Sequence, residues 1–108
     1  MSTKRSRRVA SSSYYSLTNV VQKINSGHVI IRSNAIRDAY QLFGWGVSDI
    51  KGAYKKLKPR HFQKTDESKV KSGVYLDFYK ATINGEKIYT HFYINEQSTL
   101  VINSFKRQ

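Results

Sequence analysis

Four tyrosines, a histidine and an aspartate stand at alternate positions of two neighbouring stretches: Tyr75, Asp77 and Tyr79, then Tyr89, His91 and Tyr93. Lysines and arginines are spread through the same half of the chain. Such groups can hold a phosphate, stabilise the charge of a pentacovalent phosphorus and move protons, all without a metal. RNA suits that chemistry, because its 2′-hydroxyl is a built-in nucleophile for the adjacent phosphorus. Aromatic rings on a basic sheet also offer stacking surfaces for unpaired bases.

The composition agrees with a polyanionic partner. Nineteen Lys and Arg against seven Asp and Glu leave a formal charge of +12, which favours nucleic acid over an acidic protein or a membrane surface. Other classes fall away. The histidines at 28, 61 and 91 lack metal-ligand spacing and cysteine is absent, so neither a metal site nor a disulfide is expected. No phosphate-cradling GxxxxGK[ST] or GxGxxG loop occurs, so no nucleotide or other small-molecule cofactor is expected. Seven acids are few for a two-metal nuclease. No apolar run of about 18 residues exists to span a membrane. The absence of cysteine fits a reducing cytoplasm.

Positioning falls to the run from Ser72 to Lys106, which reads as three β-strands in an antiparallel meander. Val74, Leu76 and Phe78 alternate with polar residues, as do Ile88, Thr90, Phe92 and Ile94. A two-residue Asn84-Gly85 turn would set each apolar series opposite a polar one. A three-residue loop of Ile83, Asn84 and Gly85 restores the parity, with Gly85 in the left-handed region. The expected register then places Leu76 opposite Phe92 in the core and Asp77 opposite His91 on a wet face. Tyr79 pairs with Tyr89 there, and Tyr75 with Tyr93.

Helices precede this sheet. Ser16 caps a first helix with Leu17, Val20, Val21 and Ile24 on one stripe and Gly27 as its stop. The segment at 28–32 is a short β-branched strand. Ser33 caps a second helix with Ile36, Ala39, Tyr40 and Phe43 inward, ended by Gly44; Trp45 behind it reads as a core plug. Ser48 caps a third with Ile50, Ala53, Tyr54 and Leu57 inward, ended by Pro59, where Gly52 is costly unless another backbone approaches. Arg60 to Thr65 reads as an edge strand. Residues 1–13, with Lys4, Arg5, Arg7 and Arg8 among serines, read as a flexible basic tail. Residues 14–108 form one α+β domain, its N-terminal helices packed on a mainly antiparallel β-sheet.

Several stretches, in order, resemble the MqsR family of RelE-like messenger-RNA interferases of toxin–antitoxin systems: YSLTNVVQKINSGHVII, GWGVSDIKGAYKKL, HFQKT, LDFYKA and LVINSFKRQ. The resemblance runs over nearly the whole chain from Tyr15. It implies a RelE-like fold, a metal-independent endoribonuclease acting on mRNA in the cytoplasm, and a cognate antitoxin protein as partner. It also implies roles. Lys64 stands at the lysine of the family's Asp-Phe-Tyr-Lys-Ser element, Tyr89 at the tyrosine of the penultimate strand, and Lys106 at the lysine of the terminal Ser-Phe-Lys. The lysines then hold phosphate, and Tyr89 orients substrate or transfers a proton. Arg60, Lys80 and Tyr79 are the accompanying substrate-binding candidates. Leu76 departs from the pattern, standing where the family has the glutamine of Trp-Gln-Asp, whose tryptophan is missing too. His91 is the candidate substitute as general acid or base. Two other readings remain open: a non-catalytic RNA-binding module, and an inactive toxin homologue that works through a protein partner.

Overall fold

The computed structural model describes residues 12–108, so the basic stretch expected to be a flexible tail lies outside the described residues except for Ser12 and Ser13. Helices α1 (Leu17–Ser26), α2 (Ser33–Phe43) and α3 (Val47–Lys55) and strand β1 (Val29–Ile31) come first, then a 3-10 turn at Pro59–His61. Strands β2 (Phe62–Glu67), β3 (Tyr75–Ile83), β4 (Glu86–Ile94) and β5 (Leu100–Arg107) complete the domain. The sheet order is β1-β5-β4-β3-β2, antiparallel except for the parallel pair of β1 with β5. This is the α+β arrangement expected. Among the described residues, no helix is long and apolar enough to cross a membrane.

The helices cover one face of the sheet. Val20 and Ile24 of α1, Ala35 and Ala39 of α2, and Ile50, Ala53 and Tyr54 of α3 meet Ile88, Phe92, Leu100, Ile102 and Phe105. Ser16 caps α1 by accepting the Asn19 N–H, and Gly27 at φ 80° ends it. The other two caps differ from expectation. Arg32 holds the N-cap position of α2 without a side-chain bond. Gly46 precedes α3, its N–H donating to the Asp49 carboxylate at 2.9 Å. The second helix is also rotated from its expected face: Tyr40 is 68% exposed and Ile36 37%, while the small Ala35 and Ala39 let the backbone lie close on β5. Trp45 is in the core as expected. Among the described residues, a Cβ on Gly52 would meet nothing within 4 Å, so no backbone of theirs approaches it.

The largest correction is the hairpin register. β3 and β4 pair Ile83 with Glu86 across a two-residue Asn84-Gly85 turn, both residues at positive φ (53° and 80°). That is the turn whose twist suits a hairpin. Asp77 therefore sits opposite Phe92 and Phe78 opposite His91. The inward set of β3 is Asp77, Tyr79, Ala81 and Ile83, all buried. Leu76 and Phe78 lie on the opposite face with Lys80. The meander and the burial of Phe92 are as expected; Leu76 is not in the core, and Asp77 does not lie opposite His91.

A buried carboxylate needs donors, and Asp77 has three. Its oxygens accept the N–H groups of Tyr14 and Tyr15, at 3.0 and 2.8 Å, and the Thr65 hydroxyl. The chain ahead of α1 is thereby strapped to the inner side of β3. Tyr79 packs beside it against Phe92 and Phe62.

Candidate active site on the open face of the sheet

Paired residues of adjacent strands share a face, so the register lays out the uncovered side in rows. One row runs Lys64, Phe78, His91, Ser104 across β2 to β5. The next runs Lys80, Tyr89, Lys106 across β3 to β5. Phe78 joins the rows: its ring stacks on His91 at 4.5 Å between centroids, leans on Tyr89 at 5.8 Å and lies under the Lys64 ammonium at 4.8 Å. The Lys80 ammonium stands 5.4 Å from the Tyr89 ring centre. Four residues singled out in the sequence (Lys64, Tyr89, His91 and Lys106) thus share one surface, held on a platform made by Phe78.

Two carboxylates steady the cations. Asp66, two residues along β2, holds Lys64 at 2.8 Å. Asp38 of α2 stands 3.7 Å from Lys106. Asp38 can reach it because β1 flanks β5 only as far as Ile102, beyond which α2 takes over that side. Both pairs leave the ammonium groups open to solvent.

A bulge in β5 supplies the remaining part. The register of β4 with β5 slips between His91 and Phe92, which leaves Asn103 as an extra residue on β5. Asn103 bridges two side chains. Its Oδ1 accepts from Arg32 Nε at 3.0 Å, and its Nδ2 stands 3.3 Å from His91 Nδ1. A guanidinium can only donate, so the amide oxygen must face Arg32 and the amide nitrogen must face the imidazole. His91 Nδ1 is then an acceptor and the neutral ring carries its proton on Nε2. Arg32 Nη2 donates in turn to the Tyr93 hydroxyl at 3.1 Å. Burial, followed by the positive charges of Lys106 and Lys64, pushes the His91 ring down from its ordinary 6.5 to about 4. At neutral pH His91 is therefore an uncharged hydrogen-bond donor between two cations.

The accompanying candidates divide. Lys80 belongs to the surface. Arg60 is exposed on the 3-10 turn leading into β2, outside the two rows. Tyr79 has no exposed surface and cannot stack on a substrate. Sequence reasoning missed Phe78, Arg32, Asn103 and Asp38. Phe78 was hidden by its apolar character, and Asn103 by a bulge that no spacing announces. Arg32, a basic residue between a strand and a helix, gave only the generic signal of charge.

Residues 12–107 match the family described as motility quorum-sensing regulator, toxin of MqsA. The search of curated proteins returns no matching relative.

Proposed function

Because this chain belongs to the MqsR toxin family, the toxin side of a toxin–antitoxin pair, we propose that it is a metal-independent endoribonuclease that cuts messenger RNA through the RNA's own 2′-hydroxyl. The observation that carries the reading is the neutral His91 set between Lys64 and Lys106 on an open, aromatic, strongly basic sheet face. In the reaction the 2′-oxygen gives up its proton and bonds to phosphorus, and the bond from phosphorus to the 5′-oxygen breaks as that oxygen takes up a proton. The products are a 2′,3′-cyclic phosphate and a 5′-hydroxyl. Lys64 and Lys106 hold the non-bridging oxygens as their charge grows, and fixed donors of this kind stabilise the transition state more than the ground state. The Nε2–H of His91 adds a further donor to the same phosphate. Tyr89, paired with both Lys80 and Lys106, orients the 2′-hydroxyl and is the remaining group there that can pass a proton. Lys80 extends the basic surface along the RNA backbone, and Arg60 lies at its margin. The substrate is met in the cytoplasm, where the antitoxin would hold the activity in check.

The test is incubation of the purified protein with end-labelled single-stranded RNA in EDTA, with the product ends identified. Cleavage with cyclic-phosphate and 5′-hydroxyl ends is the expected result. Cleavage that appears only when a divalent cation is restored would overturn the metal-free mechanism. Binding without cleavage in either condition would make the face an RNA platform.

A further inference from the structure

Beside the rows of the open face lies a groove of about 380 Å³ that none of the roles above uses. Leu76, Val74 and Val70 form its apolar wall, and Tyr93, Arg32 and Asn103 its polar side. Val70 stands at the rim, 95% exposed. The loop carrying that wall is held in place: Ser68 Oγ accepts the N–H groups of Val70 and Lys71, and the Glu67 carboxylate accepts that of Gly73 at 2.7 Å. The groove and the His91 cluster share a wall, since Asn103 touches His91 with one end of its amide and Arg32 with the other.

We propose that this groove receives one unpaired nucleobase of the RNA, the one next to the phosphate held by His91, Lys64 and Lys106, and that it sets which base is accepted there. The inference rests on the nuclease reading for its substrate and goes beyond it in assigning a base subsite. Three features favour a base as occupant. The distance fits: Tyr93 follows His91 by two positions on the same face, about 6.8 Å along a strand, comparable with one nucleotide step of an extended RNA. The size fits as well, since small-molecule sites start at roughly 300 Å³. The chemistry is that of a base, flat and apolar on its faces with polar edges. Leu76 and Tyr93 offer contact to a face, while among the described residues Arg32 uses two of its five N–H donors, on Asn103 and Tyr93, and has others for an edge. Leu76 gains a reason in this setting. At the position where the resemblance expects glutamine, this chain puts a side chain that can pack against a ring but cannot hydrogen-bond.

The experiment is an NMR titration of the full chain with inorganic phosphate and with each of the four nucleoside 3′-monophosphates. Phosphate should shift amides around His91 and Lys106 only. At least one nucleotide should bind about tenfold tighter than phosphate, the scale of one stacked base, and should also shift the amides of Leu76 and Tyr93. Leu76→Ala should remove most of that advantage and leave phosphate binding unchanged. Val70→Ser, at a position too exposed to affect folding, should weaken the nucleotide in the same selective way. Equal affinity for phosphate and all four nucleotides, or an advantage that survives both substitutions, overturns the subsite. RNA cleavage is scored separately: a protein that seats nucleotides in the groove but does not cut RNA keeps the subsite and loses the nuclease, and the converse result does the reverse.

Discussion

Replacing His91 with glutamine removes the titrating ring and keeps a polar side chain of similar size, which turns its depressed pKa into a measurable stability effect. In the unfolded chain the ring takes up a proton near 6.5; in the folded one it does so only near 4. Between those values the unfolded state binds more protons, so stability falls as the pH drops through that window. From a pH of about 7.5 to about 5, the linkage relation gives a loss of about 2 kcal/mol from this one residue. With a urea dependence of about 1–3 kcal/mol per molar, the unfolding midpoint should drop by roughly 1 M. His61, also lowered by burial and by the charges of Arg60 and Lys58, contributes in the same direction, and carboxylates add their own effects. The comparison is therefore between the wild type and His91→Gln over the same pH range. The wild type should lose about 2 kcal/mol more than the variant. Parallel pH profiles, or an imidazole that titrates near 6.5 by NMR, would refute the burial of a neutral ring between two lysines.

Lys106→Ala should cut the rate of RNA cleavage about a hundredfold, as loss of one charge-stabilising group does. Its exposed side chain means the unfolding midpoint should scarcely move, and Tyr89→Phe should show whether the hydroxyl or only the ring is needed. Asp77→Ala should cost about 2–4 kcal/mol in urea unfolding, since it strands two backbone amides and a hydroxyl; hydrogen exchange at Tyr14 and Tyr15 should quicken, and an unchanged midpoint would remove the strap from the account. RNA affinity should fall steeply with salt, with a log–log slope of roughly −0.7 for each phosphate neutralised. Affinity that is flat from about 50 to 200 mM would argue against capture by charge.

Much of the framework is legible in the sequence. The Ser16 cap with Gly27, the inward stripe of α3, the edge strand expected at 60–65 and found at 62–67, and the meander after it all follow local rules. The register of β3 does not, because its two faces are not separated by polarity. Phe78 is outside, where its ring supports His91 and Tyr89. Asp77 is inside, where the amides of Tyr14 and Tyr15, more than 60 residues earlier, offset its burial. Ala81 and Ile83, with the strong Asn84-Gly85 hairpin signal, pointed to the true phase, but Leu76 and Phe78 outweighed them. A functional surface that needs apolar rings blurs the alternation from which a register is read. The same ambiguity affected the site. Lys64, Tyr89, His91 and Lys106 are named as candidates by type and resemblance, whereas Arg32, Asn103 and Asp38 are brought beside them by a bulge and a helix position that only tertiary structure supplies. Tyr79 shows the converse, a tyrosine of the right type on the wrong side.

The parallel pairing of β1 with β5 has a consequence for the order in which the protein comes into being. β1 is made early and, among the described residues, has β5 as its one neighbour in the sheet, while β4 pairs with the other side of the same strand. A ribosome translating this message therefore carries a half-built sheet until residues 100–107 have emerged. Lys106 and Asn103 arrive with that last strand, so the cationic pair around His91 and the bridge that orients its ring come together in one closing event. Before that strand docks, Lys64, Phe78, Tyr89 and His91 can already share a surface across β2 to β4, but the imidazole lacks both the Asn103 amide and the second lysine.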